Sequence, residues 1–85
     1  MAATAEQQQL AEILLSQIEE SAFPAAAQLD RVEQLISTRD ELETYIAILT
    51  DKVEAVNFPP ASLVDRIQRL IRVLDRLDEE EQRER

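Results

Sequence analysis

The chain has 85 residues, no histidine, no cysteine, no glycine and a formal net charge of −9. One domain of that size buries only a little over ~60% of its unfolded surface, so a thin core and closure by a second molecule are expected. Lacking His it has neither the commonest general base nor the commonest metal ligand, lacking Cys it forms no disulfide or thiolate site, and lacking Gly it cannot build a phosphate-cradling loop.

Thr4 followed by Gln7 has the form of a capping box, and Leu10, Ala11, Ile13, Leu14, Leu15 and Ile18 then give a wide apolar face. This pattern predicts a first helix over 5–21. Phe23 precedes Pro24, which disfavours helical backbone at the phenylalanine and ends the helix, while the proline suits the first turn of the next one. The same logic recurs at Phe58, Pro59 and Pro60. Each phenylalanine is expected to plug its own turn, since buried aromatic area favours chain reversal.

Between the two Phe-Pro turns, Val32, Leu35, Arg39, Leu42, Ile46, Leu49 and Val53 follow one another in steps of three and four. Thr38 and Glu41 resemble a second capping box, and Ser37 and Thr38 are poor helix residues. A break is not expected to keep the heptad phase, so one long central helix is predicted, on the order of 50 Å. A broken helix would instead allow a compact monomeric four-helix bundle. The last helix, over 61–80, continues the pattern with Leu63, Ile67, Leu70, Leu74 and Leu77, and the tail at 81–85 is expected to fray.

Shifted by 35 places, residues 12–43 fall on 47–78, so that Phe23, Pro24, Asp30, Arg31, Val32 and Leu35 answer to Phe58, Pro59, Asp65, Arg66, Ile67 and Leu70. The chain therefore reads as a single all-α domain made of two helical-hairpin repeats: short helix, long central helix, short helix. Apolar surface is left over in this arrangement. A homodimer is the simplest closure, with Val32, Leu35, Arg39, Leu42, Tyr45, Ile46, Leu49 and Val53 at its interface.

Charge is uneven. The first 60 residues carry eleven acids against three bases, and residues 61–78 carry three acids against four arginines. Arg69, Arg72 and Arg76 share one face of the last helix, where pairing with the acidic half of the chain is favoured over contact with nucleic acid. Asp30 and Asp65 are read as favourable charges at helix starts. Glu19, Glu20 and the acids at 78–81 are read as solvated helix ends, not a cation site. No cofactor and no enzymatic activity are expected.

No apolar run approaches the ~20 residues of a membrane span, and residues 1–6 lack the basic start of a signal peptide. A cytoplasmic location is expected. The function predicted is protein–protein interaction, as an adaptor, chaperone or regulatory subunit that takes a partner with an apolar helix or a basic surface. The alternative is an acidic decoy that masks a basic nucleic-acid-binding protein.

Overall fold

The computed structural model describes residues 5–21 and 24–83 of the chain. Among these it is all helical: α1 (Ala5–Glu20), α2 (Ala26–Leu35), α3 (Arg39–Glu54) and α4 (Ala61–Arg83). Helices α1 and α2 form one hairpin, α3 and α4 a second, and α1 lies across α3 to join them. The starts of α2 and α4 are 35 residues apart.

The long central helix is not formed. It is interrupted at Ile36, Ser37 and Thr38, and the cause is the local chemistry at Thr38. Thr38 takes extended backbone and its hydroxyl accepts from the Glu41 amide at 3.1 Å. The Glu41 carboxylate turns back to accept from the Ser37 and Thr38 amides, each at 3.1 Å. The amides of Thr38 and Glu41 at the helix start, and that of Ser37 before it, are thereby satisfied, a cap that contributes about 1 kcal/mol. An unbroken helix could not fold back, whereas the bend lets each hairpin cover the apolar face of the other.

The core consists of Leu15 and Ile18 from α1, Leu29 and Val32 from α2, Tyr45, Ile48 and Leu49 from α3, and Ile67 from α4. Val32, Leu42, Tyr45 and Leu49, expected at a seam between two chains, are buried inside one chain. Leu35, Ile46 and Val53 are half-buried. The heptad pattern was real, but tertiary folding spends it on an intramolecular core.

Two other expectations are corrected. Phe58 does not plug its turn, since 93% of its surface is exposed. Val56 and Pro59 are half-buried there, and the flanking helix ends are completed by backbone bonds from Ala55 to Asp51 and from Leu63 and Val64 to Pro60. Phe23 and Thr4 lie outside the described residues. Helix α4 continues to Arg83, three residues past the expected end at 80.

Candidate functional site: an acidic-rimmed apolar groove

Helix α4 has 23 residues against 10 in α2, so at ~1.5 Å per residue it outruns α2 by about 20 Å. Its C-terminal half packs on α3 alone. The space beside it, where α2 stops and the chain bends, is an open groove of about 590 Å³. Ile36, Leu42, Leu70, Val73 and Leu77 give it an apolar floor, and Glu33, Arg39, Glu80 and Glu81 stand around it. Val73 is 44% exposed and the neighbouring Ile71 41%, both unusual for side chains of that kind on a helix that otherwise follows an inward stripe.

Two arginines fix the groove's walls. Arg39, at the start of α3, is ion-paired with Asp78 and Glu81 of α4 and with Glu43 one turn on, which ties the far end of α4 to α3. Loss of hydration works against the charge on Arg39, but the three carboxylates outweigh it and raise its pKa. Arg66, from the first half of α4, reaches across to α2 and pairs with Asp30 at 2.9 Å and Glu33 at 2.5 Å. Burial opposes its charge too, and hydrogen bonds to Glu33 and Asp30 more than compensate, so its pKa is also raised.

Glu33 is the hub where three helices meet. Besides Arg66 of α4 it accepts the hydroxyl of Tyr45 of α3 at 2.6 Å, with the Leu29 carbonyl 3.4 Å from the same phenolic oxygen. Burial first, and the Glu33 carboxylate second, push the Tyr45 pKa well above its ordinary value. At the opposite end of the bundle the Lys52 ammonium donates to the carbonyls of Glu19 and Ser21, which caps the C-terminus of α1 and pins it to α3.

The expected site residues are thus dispersed. Arg39 and Leu42 border the groove, Tyr45 belongs to the buried network, and Val32 and Leu49 are core. Arg69, Arg72 and Arg76 are exposed on α4 and make no ion pair among the described residues; the expected pairing of a last-helix arginine with the acidic half is made by Arg66 instead, while Arg39, itself in that half, pairs with Asp78 and Glu81 of α4. Asp30 and Asp65 are not helix-start charges, because α2 and α4 each begin four residues earlier; Asp30 is an ion-pair partner.

The floor residues Leu70, Val73 and Leu77 went unrecognised as a site. In the sequence they continue the apolar stripe of α4, and they are left open because the matched stripe in the first half of the chain is bent away after Leu35. Among the described residues no three acidic side chains converge as a metal site, and no helix is long and apolar enough to cross a membrane. No family model, curated protein or solved structure matches the chain.

Proposed function

We propose that the chain is a non-enzymatic protein-binding module whose groove takes an amphipathic, basic helical segment of a partner. Helix-in-groove recognition requires a concave apolar strip beside complementary charge. The single observation that carries this reading is the open floor of Ile36, Leu42, Leu70, Val73 and Leu77 set against Glu33, Glu80 and Glu81. Arg39 faces the three carboxylates of Glu43, Asp78 and Glu81, and Arg66 faces the two of Asp30 and Glu33, so each cluster keeps a net negative charge and the surroundings of an incoming segment are acidic on balance. Apolar side chains at helical spacing would supply affinity, and Lys or Arg at the edges would steer approach and fix direction.

A synthetic amphipathic helix with a leucine stripe and lysines on its flanks tests this. Fluorescence anisotropy is expected to give saturable binding at physiological salt. Val73→Lys, which sets a cation in the floor at an already exposed position, is expected to weaken binding by about tenfold or more while leaving the helical circular dichroism unchanged. Unchanged affinity in that variant would refute the groove as the site.

The net charge of −9 favours a second reading, an acidic decoy that covers the basic surface of a nucleic-acid-binding protein. Such binding would be indifferent to Val73→Lys and would collapse as salt is raised, since exposed charges are screened beyond about 10 Å at 0.1 M ionic strength. The two readings therefore separate on the same pair of titrations.

A further inference from the structure

We propose that the break at Ile36, Ser37 and Thr38 is a hinge that straightens, and that the straightened chain exchanges hairpins with a second copy to make a domain-swapped dimer. The α1–α2 hairpin of one copy would then pack on the α3–α4 hairpin of the other.

Three observations carry this. The first is the sequence across the bend: the three-and-four spacing of Val32, Leu35, Arg39, Leu42, Ile46 and Leu49 passes through it without a residue gained or lost. The matching residues 71–73 keep the same phase inside the unbroken α4, so the pattern across the bend is one that a continuous helix accommodates.

The second is the backbone of the bend. It contains no Gly, Pro or positive φ, and Ile36 already has the φ of a helix, −67°, with only its ψ of 124° in the extended range. Rotation about a few single bonds converts it to helix, and the carbonyls ending α2 and the amides starting α3 then satisfy one another. What holds the bend is the Thr38–Glu41 cap.

The third is the set of contacts that join the hairpins. Tyr45 with Glu33, Arg66 with Asp30 and Glu33, Lys52 with the end of α1, and the packing of Leu15, Ile18, Leu29 and Val32 against Tyr45, Ile48, Leu49 and Ile67 all link residues on opposite sides of the hinge. Each can therefore be made between chains as well as within one, which is the condition under which swapping costs little beyond association. The half of α4 past Leu70, with exposed Ile71 and Val73, lies beside the hinge and adds apolar surface where the two straightened helices would cross.

The hinge also supplies one wall of the groove through Ile36, Ser37 and Thr38. On the reading proposed above, and only on it, a helix bound in the groove favours the bent monomer, so partner binding and dimerisation oppose each other.

Light scattering during size-exclusion chromatography, over a concentration series, tests the hinge. Removing the cap with Ser37→Ala and Thr38→Ala is expected to lower the concentration of half-dimerisation by about tenfold or more, since each dimer contains two hinges. Arg39→Pro, at the first position of α3 where a bent chain accepts proline and a continuous helix does not, is expected to abolish the dimer. Arg39→Ala controls for the lost ion pairs.

The exchange itself is read by Glu19→Cys with Ala55→Cys. These positions line one surface depression where α1 meets α3, in a chain that has no other cysteine. A short bis-maleimide is expected to join two chains in the dimer fraction and to link within one chain in the monomer fraction. A dimer that crosslinks only within chains, or a cap-deleted chain that stays monomeric throughout the series, would overturn the proposal. Neither result depends on whether the basic peptide binds.

Discussion

Tyr45 is the one tyrosine in a chain without tryptophan, so its absorbance reports on the buried network alone. Its hydroxyl donates to Glu33, which also receives Arg66. Tyr45→Phe removes a hydrogen bond to a charged acceptor but leaves Glu33 its arginine, so the loss falls at the low end of the range for such bonds, about 1.5–2 kcal/mol. In a domain of this size that corresponds to roughly 6–16 °C in Tm. The pH dependence has a definite sign. The folded phenol is held neutral above 10.0, the value at which the unfolded phenol ionises. Beyond that pH the native state binds one proton more than the unfolded state, and stability falls by about 1.4 kcal/mol per pH unit; below it this contribution is fully present. Urea unfolding followed by circular dichroism, with tyrosinate absorbance recorded in parallel, is the assay. Wild type is expected to ionise Tyr45 only as the helices are lost, and the stability gap between wild type and Tyr45→Phe is expected to close as pH rises past the ordinary phenol value. A tyrosine that titrates normally while the fold stays intact would refute the assignment.

Other outcomes follow from the same contacts. Leu49→Ala, at a fully buried position between the hairpins, is expected to cost about 2–5 kcal/mol in chemical denaturation. Phe58→Ala is expected to stay within about 0.5 kcal/mol of wild type, because the ring is almost wholly in solvent; a large loss would show that it plugs the turn after all. Lys52→Ala is expected to cost about 1 kcal/mol and to speed amide exchange in the last turn of α1, while exchange in α4 stays unchanged. Charge reversal at Arg69 and Arg72, neither of which is ion-paired among the described residues, is expected to cost no more than about 1 kcal/mol.

The first and last helices, and the interruptions that precede α2 and α4, were legible from period and proline alone, because these are local effects. The bend at residues 36–38 was also written locally, in Thr38 and Glu41, but it competed with an unbroken heptad phase spanning the same residues. Phase gives the face on which apolar side chains lie and is silent on whether that face meets its own chain or another. The cap at Thr38 and Glu41 bends the chain so that, among the described residues, much of that face meets its own chain. Arg66 illustrates a different limit: its partners Asp30 and Glu33 lie more than thirty residues away, and only the return of α4 beside α2 brings them within reach. The groove was not legible in the sequence, because the matched stripes are equally long there and only the bend shortens α2 against α4.

Chemical-shift mapping of the isotope-labelled chain against the leucine-striped, lysine-flanked peptide tests the central claim most directly. Perturbations are expected to concentrate at Ile36, Leu42, Leu70, Val73 and Leu77 and to persist at moderate salt. Shifts scattered over the acidic surface and erased by salt, or confined to the exposed arginine face of α4, would contradict it.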